Sequence, residues 1–315
     1  MKSQFFAITF CFLMVVAPVF SQQKKGKHPD GPPTSIPQEL LDRLEEKKDV
    51  VYAKYGDREL ALDWYRPKNA AGKKLPAIVC IHGGGWWQGS RLNHARLAQA
   101  LADKGFVAAT ISYRLSGEAK FPAQIQDCKA AVRYLRAHAD EMGIQSDKIG
   151  AIGLSAGGHL TALLASSGGV AELEGEGGNP DQSSVIQAAV PMGAQADFTY
   201  DHIQAVKNTR PRKPGEKPNL WTQFMGGAPA DVPEQYKLAS PITHLNAGDA
   251  SCYFIAGEHD NDGTRAATFR AKSKELGISE KLMIIPGAPH AFPGRQKFFD
   301  QMIPKATEWF ETHLK

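Results

Sequence analysis

Lys148-Ile149-Gly150-Ala151-Ile152-Gly153-Leu154-Ser155-Ala156-Gly157-Gly158-His159-Leu160-Thr161-Ala162-Leu163-Leu164-Ala165 is the stretch that decides how this chain folds. An apolar run that reads as a buried strand gives way, through Gly-x-Ser-x-Gly, to a run that reads as a helix. Small residues two before and two after the serine let the backbone turn sharply. The Ser155 hydroxyl then stands clear of the sheet at the positive end of the following helix. Ser155 is the candidate nucleophile. A glycine-flanked turn alone carries the same letters, so its partners must be found elsewhere in the chain.

Outward from this point, short apolar runs alternate with helical periodicity. Ala77–Ile81, Val107–Tyr113, Val185–Met192, Cys252–Ala256 and Lys281–Ile285 read as strands. Leu92–Lys104, the face Ile125, Cys128, Val132 and Leu135, Gly263–Leu276 and Phe298–His313 read as helices. That alternation predicts the α/β class, a mostly parallel central sheet with helices on both faces. At the amino end, Val50–Tyr55 and Glu59–Tyr65 flank Gly56-Asp57 and predict an antiparallel hairpin. Before it, Glu39–Lys48 reads as a short charged helix.

The 315 residues carry 42% hydrophobic and 22% charged side chains and a formal charge of +4. That mild excess gives no ground for a nucleic-acid partner. Residues 1–21 read as an export signal: Lys2, an apolar core from Phe5 to Val16, and Val19-Phe20-Ser21 at the cleavage site. The apolar run is short for a membrane span and is broken by Pro18, so a secreted or periplasmic location follows, with no membrane association once the signal is gone. Residues 22–49 form a flexible Lys/Pro-rich leader and the short helix, and 50–315 the catalytic domain. Two segments interrupt its rhythm, the acidic, glycine-rich 172–184 and the long 198–233 with Lys207, Arg210, Arg212, Lys213 and Lys217. Both are expected at the carboxyl edge of the sheet, shaping the ligand site. Cys80, Cys128 and Cys252 read as buried thiols, with one disulfide among them as the alternative.

A second motif, His82-Gly83-Gly84-Gly85-Trp86, directly follows a strand. An acyl-transfer site needs backbone N–H groups aimed at the developing oxyanion, and glycines let the chain turn them inward. Gly84, Gly85 and Ala156 are the candidate donors. His290, in a loop after the last strand, is the candidate base. Glu258, Asp260 and Asp262 share a loop after Cys252–Ala256. Asp260 suits the orienting acid, with Asp262 and Asp197 as alternatives. Trp86, Trp87 and His82 are pocket candidates, although His82 and His159 also suit a backbone-bracing role. Tyr113, Arg114 and Asp127 suit a structural brace. Nothing in the pattern calls for a metal or an organic cofactor.

Taken together, these motifs, with Ser112-Tyr113-Arg114-Leu115 and Leu173–Pro180, resemble the α/β-hydrolase superfamily over nearly all of 50–315, in particular the hormone-sensitive-lipase-like and feruloyl or acetylxylan esterases. The resemblance implies the α/β-hydrolase fold, a Ser155–Asp260–His290 triad, and hydrolysis of short acyl esters such as acetyl or feruloyl groups on plant polysaccharide, without a cofactor. Two departures stand out. The acid loop Ala256–Gly263 lacks the usual Val-Pro, and the histidine loop has Ala-Pro-His-Ala-Phe in place of Gly-His-Gly-Phe. A serine peptidase or a non-catalytic binding module on the same scaffold are the alternative readings.

Overall fold

The computed structural model describes residues 33–199, 219–260 and 264–315. The export signal, residues 22–32 of the leader, the basic cluster Lys207–Lys217 and Asp262 lie outside them.

Eight strands form one sheet in the order β1-β2-β4-β3-β5-β6-β7-β8. They are β1 Leu44–Tyr55, β2 Arg58–Pro67, β3 Leu75–Ile81, β4 Val107–Ile111, β5 Ile144–Leu154, β6 Ala188–Met192, β7 Ser251–Gly257 and β8 Glu280–Ile285. β1 and β2 are the antiparallel hairpin, β2 runs antiparallel to β4, and every pair from β4 to β8 is parallel. This is the α/β-hydrolase arrangement that the motifs imply.

The helices that position the site are α1 Ala95–Asp103, α2 Ala123–Ala137, α3 Ala156–Ser166, α4 Leu220–Met225, α5 Ala267–Glu275 and α6 Gln296–Leu314. Because side chains alternate across a strand, β3 sends Ala77, Val79 and Ile81 into one core layer with α2, α3 and α5. It sends Ile78 and Cys80 into the other with α1 and α6. A strand buried on both faces must be apolar throughout, which is why these runs are short and continuous. Cys80, Cys128 and Cys252 are buried free thiols.

Three expectations change. The charged stretch Glu39–Lys48 is helical only over Gln38–Leu41, and Leu44–Tyr55 is strand. Its ladder to β2 starts at Leu44↔Pro67, and the exposed Glu45, Glu46, Lys47 and Lys48 are the charges an edge strand uses against further pairing. The leader is not free along its whole length. Thr34 N–H donates to Gly294 O (3.1 Å), its Oγ1 donates to Pro293 O (2.6 Å), and Ser35 N–H donates to Gln296 Oε1 (2.8 Å).

The third change concerns 172–184, which follows α3, not a strand, and is tied along α2. The buried Lys129 Nζ donates to Ser167 O (2.6 Å) and Glu174 Oε1 (2.7 Å). Arg133 donates to the carbonyls of Glu174, Gly177 and Gly178, and Arg136 to those of Ser183 and Val185. Spacings of four and three put these cations on one helix face, and they hold the segment there by its carbonyls and one carboxylate.

Candidate active site

Ser155 links β5 to α3 with φ +60° and ψ −118°. A non-glycine residue in that region is strained and persists only where its surroundings over-determine it. Here Ser155 N–H donates to Met192 O of β6 (2.8 Å) and its carbonyl accepts from His159 N–H (2.9 Å). The flanking glycines are required by contact. A Cβ on Gly157 would lie 2.1 Å from Ile81 O, and one on Gly153 2.4 Å from Gly157 O. The turn is therefore wedged between β3 and β6, and α3 points its first free N–H groups at the serine.

The glycine loop lies against this turn. A Cβ on Gly83 would meet Leu154 O at 2.8 Å and Ser155 Cβ at 3.3 Å. Gly84 and Gly85 take φ of +113° and +62°, and Trp86 takes +64°. The loop is closed by Trp87 and Gln88 N–H on Gly84 O (3.3 and 3.2 Å), bonds that use neither the Gly84 nor the Gly85 N–H. The arrangement brings those two amides and the Ala156 amide to the neighbourhood of Ser155.

His290 Nδ1 stands 2.5 Å from Asp260 Oδ2. The carboxylate is buried, while the imidazole is 42% exposed and open to a substrate. Two loops are laced to hold them. His259 N–H donates to Ala288 O (3.0 Å), Glu258 N–H to Ile285 O (3.1 Å), and Gly287 N–H to Glu258 Oε2 (2.7 Å). The alternative acid, Asp197, is spent elsewhere. Its Oδ1 accepts from Thr199 N–H and Oγ1, and its Oδ2 from Thr268 Oγ1. Asp260 is thus the acid that the fold delivers to His290.

Two of the pocket candidates are braces. His82 is buried, stacks on Tyr113 at 4.2 Å and donates Nδ1–H to Gly83 O (2.7 Å). Burial pulls its pKa down to about 4 against the opposing Gly83 bond. Trp86 is buried too, stacked on Phe224 at 4.4 Å. Its Nε1–H donates to His159 Nδ1 (3.2 Å), and His159 Nε2–H donates to Ala239 O (2.8 Å). Neither ring is free to touch a substrate, because each fills space beneath the glycine loop. Trp87 alone of the three stays half-buried. Arg114 and Asp127 form the expected brace, a bidentate pair with Arg114 Nη2 at 2.7 Å from Asp127 Oδ1 and the guanidinium 3.6 Å over Tyr55.

Sequence reading missed Gly193, Arg265 and Leu220. A Cβ on Gly193 would come within 2.8 Å of Asp260 Oδ2 and 3.2 Å of His290 Nδ1, so only glycine leaves room for that pair. Arg265 Nη1 lies 3.4 Å from Asp260 Oδ1. Leu220 of α4 lies over the glycine loop, its Cδ1 2.7 Å from where a Gly85 Cβ would stand. The glycine directly after β6 was the one available signal, and it reads equally well as a turn.

The BD-FAE family model matches residues 62–267. The chain belongs to the BD-FAE family. The match ends before the loop that carries His290. Esterase LipQ of Mycobacterium tuberculosis is 28% identical over 267 residues, 83% of this chain and 61% of LipQ; the chain spans about three fifths of that relative's length. A truncated carbohydrate esterase from gut microbiota superposes with a TM-score of 0.71 at 27% identity, covering 85% of this chain and 95% of that one. Butyrate-bound esterase Est2 of Thermogutta terrifontis superposes with a TM-score of 0.68 at 28% identity, covering 86% and 95%.

Proposed function

We propose that this BD-FAE family member is a serine carboxylic ester hydrolase acting on short acyl esters of hydroxyl-rich alcohols, acetylated or feruloylated carbohydrate among them. The observation that carries the reading is the 2.5 Å contact between His290 Nδ1 and the buried Asp260, held beside a serine at a strained strand-to-helix turn. In this reading the Ser155 hydroxyl adds to the ester carbonyl carbon and its proton passes to His290 Nε2. The amides of Gly84, Gly85 and Ala156 hold the oxyanion. Collapse expels the alkoxide, which takes the proton from His290. Water, deprotonated by the same nitrogen, then releases the acid from the acyl-enzyme. Asp260 keeps the imidazole in the tautomer that accepts at Nε2.

The butyrate in Est2 and the carbohydrate esterase among the structural neighbours support the short acyl group and the sugar alcohol. The Lys2, Phe5–Val16 and Val19–Ser21 pattern supports an exported enzyme, and amino-terminal sequencing of secreted material tests that. For the activity, p-nitrophenyl esters from acetate to palmitate should give the highest kcat/KM at two to four carbons. Ser155→Ala should lower kcat by at least about 10⁴-fold. An unchanged rate in that variant, or a maximum at palmitate, overturns the reading, and faster turnover of the matched anilide would favour a peptidase.

A further inference from the structure

A cavity of about 490 Å³ opens beside the catalytic turn, within the size range of small-molecule sites. One wall is Gly83, Gly84 and Leu154, the residues that flank the oxyanion amides and precede Ser155; the opposite wall is Ala291, Pro293 and Gly294, directly after His290. That position fixes its chemical role. The leaving oxygen takes its proton from His290, so the group attached to it must lie on the histidine side of the glycine loop. The cavity is there.

Its lining is mixed. Leu97 and Phe299 supply apolar surface, while Gln88, Asn93, His94 and Arg96 supply polar groups, and no carboxylate lines it. Arg96 is exposed, and no ion pair engages it among the described residues. His94 is 6% exposed, and its Nδ1 has no hydrogen-bond partner among the described residues. Burial, with the His82 ring adding, pulls its pKa down to about 4 against a hydrogen bond to the Ile81 carbonyl, so the ring is neutral at ordinary pH. A carbonyl takes only an N–H, and the other nitrogen of a neutral imidazole is a bare acceptor. A buried acceptor without a partner is costly unless a ligand donates to it.

Resting on the ester-hydrolase reading above, we propose that this cavity is the alcohol subsite and binds a hydroxyl-bearing sugar ring, one hydroxyl donating to the imidazole of His94 and others meeting the Arg96 and Gln88 side chains. Apolar patches between polar groups suit a pyranose, whose faces are apolar and whose rim is hydroxylated. The absence of carboxylates and the unpaired guanidinium disfavour a cationic alcohol.

The test uses two esters with the same acyl group, methyl 3-O-acetyl-β-D-xylopyranoside and cyclohexyl acetate, with phenyl acetate as a common reference. The full chain should prefer the xyloside by about tenfold or more in kcat/KM, the discrimination that a site built to pair hydroxyls shows. His94→Phe keeps the ring and removes the acceptor; it should bring the ratio of the two rates to within about threefold of unity. Arg96→Ala, a surface change that does not threaten folding, should lower that ratio about two- to fivefold. Unacetylated methyl β-D-xylopyranoside should inhibit phenyl acetate hydrolysis competitively in the parent chain and more weakly in both variants. Phenyl acetate turnover with a xyloside-to-cyclohexyl ratio near one overturns the subsite and leaves the hydrolase reading standing. The subsite is overturned likewise if neither variant moves the ratio or the inhibition. Absence of turnover on every ester overturns both.

Discussion

Segments 172–184 and 219–233 look alike as interruptions of a strand-and-helix rhythm, yet they do opposite work. The first is polar, and three cations at 129, 133 and 136 on one face of α2 hold it by its carbonyls and the Glu174 carboxylate. The second is apolar, and its Leu220, Trp221 and Phe224 lie on Gly85 and Trp86 at the glycine loop. A polar segment goes where backbone carbonyls find donors, and an apolar one goes where it can be covered. Glycine content and length say neither.

Matched glycines break the comparison most sharply. Gly85→Ala adds a methyl group at a positive φ, against Leu220 and beside an oxyanion amide; kcat/KM on p-nitrophenyl acetate should drop about 10²- to 10³-fold. Gly177→Ala, whose Cβ would stand 2.4 Å from Tyr55 Oη, should lower the melting temperature and leave kcat/KM within about twofold. Equal activity losses in the two would mean that 172–184 shapes the site after all.

Lys129→Met removes the cation that 172–184 depends on. Breaking a buried pair costs roughly 3–5 kcal/mol; since the Glu174 side chain is 29% exposed, we expect about 2–4 kcal/mol in urea unfolding, with kcat/KM near the parent value below the transition.

The two segments should also part with pH. His159 joins the glycine loop to the 219–239 region through Trp86 and Ala239, and burial lowers its pKa to about 4, with the Ala239 bond opposing. A depressed histidine binds its proton in the unfolded chain first, so stability falls as pH drops from about 6.5 towards 4 and levels off below. For one such group the loss is at most roughly 3 kcal/mol. His82 and His94, also lowered to about 4, contribute with the same sign. The slope of melting temperature against pH between 6.5 and 4.5 should therefore shrink by about a third in His159→Asn; an unchanged slope would show that this histidine does not titrate with unfolding.

The smallest effect is expected of Leu220→Ala, which opens space over Gly85. It should raise hexanoate turnover relative to acetate about three- to tenfold and shift the melting temperature by only a few degrees, since Leu220 is half-buried. A fixed chain-length profile would place the acyl group away from α4.

Much of the site is legible in the sequence because its chemistry demands local pattern. The turn at Ser155 needs small neighbours within two residues, and the glycine loop needs three glycines after a strand. The alternation of apolar runs with helical periodicity is enough to place the sheet and the His290 loop. The charged beginning of Leu44–Tyr55 reads as helix because an edge strand tolerates the same charges as a helix surface, and only its ladder to β2 tells them apart. His82 and Trp86 read as pocket candidates from their place beside the glycine loop, but side-chain direction depends on what packs beneath.

What the sequence determined by itself, then, is the α/β class and the residues whose backbone geometry has a local signature: Ser155, its glycines, Gly84 and Gly85, and the loop bearing His290. The tertiary structure decided the rest. The choice of Asp260 over Asp197, the room that Gly193 leaves, the anchoring of 172–184 and the cavity beside His94 all depend on distances between residues far apart in the chain. Those distances are set by strand order and helix packing, which no local pattern records.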